Sequence, residues 1–288
     1  MIKPSTSHHN LNQLSIHNQK HCLVISTQKI ATQYLDRFFN DISPSNFKVR
    51  KVENKWSIDI DDDPMVNENS QIKKHYDGID LFLNGKLDKD VIILIRDPWI
   101  RFKAALHEDF IKPFTRADNR NIIKLLGMII LKSNQNYSSL KNWIADGYMD
   151  VGDDSWNDNE DEEFINSLTE IYKELILTWW ISNYSIQDGH NRPYHDLILR
   201  ILLNNPNKQK VKIFDIDKVN LNEALSKYSV GRKTVDIQNP GGLGKKILTD
   251  LLDDSREFSD IKTQVITMLD TEIQSYLTLS EISKLKND

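Results

Sequence analysis

The chain has 288 residues, 39% of them hydrophobic and 27% charged, with a net charge of −5. That supplies apolar material for one large α/β core, and the acidic balance excludes a general nucleic-acid binder, which needs a basic surface to neutralise phosphates. The single cysteine, Cys22, excludes an intrachain disulfide, no run reaches the ~20 apolar residues of a membrane span, and no Cys/His cluster has the spacing of a metal site.

Residues 1–20 are polar and rich in His, Asn and Ser, and read as a loose arm. They lack the apolar stretch of roughly 7–15 residues that marks a secretory signal. A cytoplasmic protein with no membrane partner and a single domain over 21–288 is therefore expected. His21–Ser26 (HCLVIS) is a short apolar run of strand type, and Ile30–Phe39 follows with helical apolar spacing. Strand, turn and helix within twenty residues open a βα unit. Phe47–Val52 reads as a second strand, Asp59–Asp63 as an acidic loop, and Ile79–Leu83 as an apolar run open to either assignment.

Val91–Ile95 (VIILI) is fully apolar and β-branched, as a central parallel strand should be. Asp97-Pro98 then starts a helix, with Asp as cap and Pro in the first turn. Asn119–Ser133 and Phe164–Tyr184 have helical spacing, separated by an acidic run over Val151–Glu163. Val211–Ile216 is a late strand, Leu221–Tyr228 and Lys245–Leu252 are short helices around a Gly-rich segment, and Ile261–Leu277 is an amphipathic helix. The expected fold is a P-loop-NTPase-like parallel sheet flanked by helices, with a helical insertion and a helical C-terminal part.

Two segments carry chemistry. Gln28-Lys29-Ile30-Ala31-Thr32-Gln33-Tyr34-Leu35 lies between the first strand and its helix. Such a turn aims backbone N–H groups and a positive helix end outward, which suits a phosphate. Lys29 adds a charge and Thr32 a donor. The Walker sequence G-x-x-x-x-G-K-[ST] is absent. Arg96-Asp97-Pro98-Trp99-Ile100-Arg101-Phe102-Lys103-Ala104 follows the strongest strand. An Arg at the carboxyl end of a central strand reaches the crevice where α/β sheets bind ligands, and guanidinium pairs bidentately with phosphate.

The first segment resembles the 5′-phosphosulfate loop of sulfotransferases that use 3′-phosphoadenosine-5′-phosphosulfate (PAPS), typically P-K-x-G-T-T-x-L. Lys29, Thr32 and Leu35 match; Gln28, Ala31 and Gln33 depart from Pro, Gly and Thr. Ala31 is compatible with that loop if its φ stays negative. The second segment resembles the family's 3′-phosphate motif R-[ND]-P-x-x-R-[FL]-x-S. Arg96, Asp97, Pro98, Arg101 and Phe102 match, and Ala104 replaces a Ser that donates to the 3′-phosphate.

The resemblance implies transfer of a sulfuryl group from PAPS to a hydroxyl acceptor, in line, leaving adenosine 3′,5′-bisphosphate (PAP). Gln28, Lys29, Ala31, Thr32 and Gln33 would surround the 5′-phosphosulfate, with Lys29 stabilising the leaving phosphate. Arg96 and the Ala104 position would face the 3′-phosphate. Arg232 and Lys233, in the Gly-rich basic segment Gly231–Lys246, resemble the family's closing loop. His75 resembles the histidine base of uronyl 2-O-sulfotransferases, and Glu53 competes for the same role. Asp188–Pro193 resembles a stretch of the Golgi-type carbohydrate enzymes, so a saccharide is the expected acceptor. Asp270–Leu277 resembles the family's closing helix, with Tyr276 read as packing. A P-loop-like kinase and a catalytically degenerate nucleotide-binding relative are the alternatives.

Overall fold

The computed structural model describes residues 12–27, 30–41, 47–52, 55–60, 70–111, 194–203, 205, 210–228, 235, 249–253 and 259–287. Among the described residues six strands form one sheet: β1 (Asn12–Asn18), β2 (Cys22–Ser26), β3 (Phe47–Val52), β4 (Lys55–Ile60), β5 (Asp90–Ile95) and β6 (Val211–Asp215). The helices are α1 (Thr32–Phe39), α2 (Ser70–Leu83), α3 (Pro98–Ile111), α4 (His195–Leu203), α5 (Leu221–Leu225), α6 (Ser259–Met268) and α7 (Asp270–Asn287). Residues 249–253 are also helical.

The strand order is β4-β3-β1-β2-β5-β6. β2, β5 and β6 run parallel, with Val24 opposite Ile92 and Ile93 opposite Ile213. β1 is antiparallel to β2 and β3, and β3 to β4. The sheet is therefore mixed, which corrects the expectation of a parallel one. The reason is connection length. Only residues 19–21 separate β1 from β2, with Gln19 N–H donating to Cys22 O at 2.8 Å. Two residues separate β3 from β4. Links this short close hairpins, whereas parallel neighbours need a crossover of about a dozen residues.

Residues 12–18 also correct the loose arm expected over 1–20. Leu14, Ser15, Ile16 and His17 are all buried within β1. Ile79–Leu83, which was open to either assignment, is the last turn and a half of α2. Its buried face runs through His75, Gly78, Ile79 and Phe82, at helical spacing.

β2 and β5 make the centre of the core. Leu23, Val24, Ile25 and Ile92–Ile95 are fully buried, as strands covered on both faces should be. Edge strand β6 instead alternates buried and half-buried residues. Tyr194 ties the two central strands near their carboxyl ends: its hydroxyl donates to Leu94 O at 2.9 Å and lies 3.2 Å from Ile25 O.

The chain divides into two compact units. The first comprises Met1–Arg101, Gly189–Ile237 and Leu269–Asp288, and holds the whole sheet. The second comprises Phe102–Asp188 and Gln238–Met268. Within it, Lys103 pairs with Asp253 at 2.6 Å, and Phe102, Ala105, Leu251, Leu252 and Val265 are buried. Among the described residues no helix is long and apolar enough to cross a membrane.

Candidate functional site at the carboxyl ends of the parallel strands

The turn after β2 and the turn after β5 leave neighbouring parallel strands. Adjacent strands lie about 5 Å apart, so the two turns sit side by side at the edge where α/β sheets bind ligands. In the first turn Ile30 N–H donates to Thr27 O at 3.0 Å. Ala31 then caps α1 at φ 56°, ψ 23°, and its carbonyl accepts from Leu35 N–H at 2.9 Å. The negative φ on which the compatibility of Ala31 with the resembled loop depended is thus not met. The turn demands the left-handed conformation that Gly supplies freely, and Ala adopts it at about 1–2 kcal/mol. Thr32, half-buried, and Gln33, exposed, open the helix.

In the second turn Asp97 Oδ1 accepts from Trp99 N–H at 2.8 Å and Ile100 N–H at 3.1 Å. This is the N-cap anticipated from Asp97-Pro98. It fixes the direction in which α3 leaves β5, and so where Arg96 stands. The Arg96 side chain is 23% exposed. Its Nε–H points at the carboxylate of Asp217, 3.2 Å from Oδ1 and 3.3 Å from Oδ2. Asp217 lies in the turn after β6, the next parallel strand.

Behind Arg96 the groups are buried and paired. His195 Nε2 faces the Arg96 backbone N–H at 3.5 Å, and its Nδ1 lies 2.8 Å from Glu272 Oε2. Glu272 also accepts from His195 N–H at 3.0 Å and Asp196 N–H at 3.1 Å, capping α4 from α7. Burial opposes its ionisation. The His195 hydrogen bond, the Arg101 guanidinium and the Asp196 N–H outweigh that and hold its carboxyl down at about 2. Burial in turn lowers the pKa of Arg101, and the Glu272 charge opposes the shift.

Asp215, the last residue of β6, is held on the other side. Its Oδ2 accepts from the Tyr276 hydroxyl at 2.6 Å and pairs with Lys218 at 2.7 Å, and its Oδ1 accepts from Asp217 N–H at 3.2 Å. Burial and the Asp215 hydrogen bond push the Tyr276 hydroxyl up to about 12. The Asp215 hydrogen bond raises the pKa of Lys218.

Of the residues expected from sequence, the structure brings Ala31, Thr32 and Arg96 to this edge. Ala104 lies half-buried in α3. Gln28, Lys29, Glu53, Arg232 and Lys233 lie outside the described residues, as does the stretch Asp188–Pro193. Val235, two residues after Lys233, is described: its N–H donates to Asn222 Oδ1 at 3.1 Å. The same oxygen accepts from the Tyr34 hydroxyl of α1 at 2.9 Å. One side chain thus ties α1, α5 and Val235 together.

His75 is elsewhere. Its Nδ1 accepts from Asn18 N–H at 3.0 Å, and its Nε2 lies 3.3 Å from Asp41 Oδ1. Asn18 ends β1 opposite Leu23 near the start of β2, so His75 sits at the amino ends of the parallel strands, away from Arg96. It is fully buried, with both ring nitrogens engaged. Burial lowers its pKa, against the charge of Asp41.

Sequence reasoning missed Asp215, Asp217, Glu272 and the polar role of Tyr276. The available signal was Glu272 and Tyr276 four residues apart on one face of a helix. No family model, curated protein or solved structure matches the chain.

Proposed function

We propose that the chain is a PAPS-dependent sulfotransferase with a P-loop-like nucleotide site at the carboxyl ends of β2 and β5. One observation supports this most. Arg96 stands at the carboxyl end of β5, beside the parallel strand β2 and the turn that leads from it into α1. On this reading the Thr27–Thr32 turn and Lys29 bind the 5′-phosphosulfate, and Arg96 binds the 3′-phosphate.

The acceptor hydroxyl, on a saccharide, attacks sulfur in line. Its oxygen forms the new S–O bond while the bond to the bridging oxygen breaks. The electron pair stays on the 5′-phosphate, where Lys29 stabilises it, and the acceptor proton goes to a base. A cytoplasmic location suits a chain with one cysteine.

The test is transfer of labelled sulfate from PAPS to a panel of oligosaccharides. Label should appear on an acceptor, and Lys29→Ala should cut the rate by about a hundredfold or more. PAPS bound but never turned over would sink the transferase reading. It would favour a second reading, a nucleotide-binding protein without transfer. That reading has an observation of its own, the burial of His75 at the far end of the strands.

A further inference from the structure

We infer that α7 positions Arg96, with Glu272 fixing its backbone and Tyr276 its guanidinium. Each arm is a short chain of hydrogen bonds. Glu272 accepts the Nδ1–H of His195, which leaves Nε2 as an acceptor toward the Arg96 N–H. Tyr276 donates to Asp215 Oδ2, and Asp215 Oδ1 accepts the Asp217 N–H. The Asp217 carboxylate then takes the Arg96 Nε–H. Glu272 and Tyr276 are one helical turn apart, both about 5% exposed, and the Tyr276 ring packs edge-on against His195 at 5.6 Å.

The two arms therefore meet at one residue from two directions. Bonding through Nε orients a guanidinium by one edge, since its donors form a rigid planar fork. Buried carboxylates with satisfied partners make stiff anchors. The functional consequence, selection of a nucleotide carrying a 3′-phosphate, rests on the reading of Arg96 given above. The positioning itself does not.

Two readouts separate these. The first is solvent exchange of the Arg96 Nε–H in ¹⁵N-labelled full-length protein, its signal assigned by disappearance in Arg96→Lys. Tyr276→Phe should speed that exchange about fivefold or more, the equivalent of one lost hydrogen bond. Glu272→Gln, which keeps shape but removes the charge, should broaden or shift the Arg96 backbone amide. Exchange of the Val24 amide in β2 should stay unchanged in both, which a general loosening would not allow. An Arg96 Nε–H and amide indifferent to both substitutions, or a Val24 amide accelerated to the same extent, would overturn the inference. The second readout is PAP affinity against that of adenosine 5′-monophosphate. If Arg96 loses protection in Tyr276→Phe while Arg96→Ala leaves PAP binding unaltered, the positioning stands and the donor-site reading fails.

Discussion

Ala31 holds φ 56° at the start of α1, in a region where its Cβ crowds the backbone. The turn from β2 is short, and Ala31 both caps the helix and closes the step from the buried Ile30. Strain of this kind persists where the surroundings over-determine the backbone, and it concentrates at binding turns. Ala31→Gly should relieve it, raising stability by about 1 kcal/mol after the entropy that Gly adds to the unfolded chain. Urea unfolding measures this, and a loss of stability would show that the conformation is not strained. The Asp97 cap and the place of Arg96 at the end of β5 could be read from the sequence because a strand followed directly by Asp-Pro is a local signal. The His195–Glu272 pair could not, since its members lie 77 positions apart and only the fold joins them.

At the scale of elements, the junction between β1 and α2 shows why some of the fold was hidden. Asn18 packs so closely on Gly78 that a Cβ there would come within 2.5 Å of the Asn18 side chain. Asn18 cannot simply turn away, because its Nδ2–H donates to Lys74 O at 2.6 Å and its Oδ1 accepts from Lys89. Gly78→Ala should therefore destabilise the protein by about 1–3 kcal/mol, against the roughly 1 kcal/mol that Ala gains over Gly in helix propensity. A thermal melt decides the sign, and a stabilised variant would contradict the close packing. Both partners misled the sequence reading for one reason. β1 buries Ser15 and His17 beside Leu14 and Ile16, and α2 buries His75 beside Ile79. Polar residues on buried faces erase the apolar periodicity that marks strands and helices. β2 and β5, apolar over Cys22–Ile25 and Val91–Ile95 and buried on both faces there, had no such ambiguity.

Across the whole molecule, buried polar pairs stand at both ends of the parallel strands. At the amino end, His75 pairs with Asp41, which Lys74 and Gln19 also contact, and the His17 ring packs edge-on against His75 at 5.9 Å. At the carboxyl end stand Glu272, His195 and Arg101. Burial holds the folded pKa of His75 below its ordinary 6.5. A group depressed in this way adds stability above its unfolded pKa and loses it as pH falls toward the folded one. The carboxyl of Glu272, held at about 2, and that of Asp41, also lowered, withdraw stability as pH falls below the ordinary carboxylate range. Stability should therefore decline in two stages on acidification, the first starting near pH 6.5 and the second below about pH 4.5. Denaturant titrations across that range would show it. In His75→Gln the first stage should flatten and the second remain. A profile unchanged by that substitution would contradict the assignment.

The central claim is that Arg96, at the carboxyl end of β5, reads a nucleotide 3′-phosphate. Calorimetric titration of the wild-type chain and Arg96→Ala with PAP and adenosine 5′-monophosphate tests it most directly. The wild type should prefer PAP by about tenfold or more, the effect of one charge-assisted guanidinium–phosphate contact, and Arg96→Ala should bind both nucleotides alike. Equal affinities in the wild type, or a preference for PAP that survives Arg96→Ala, would contradict it.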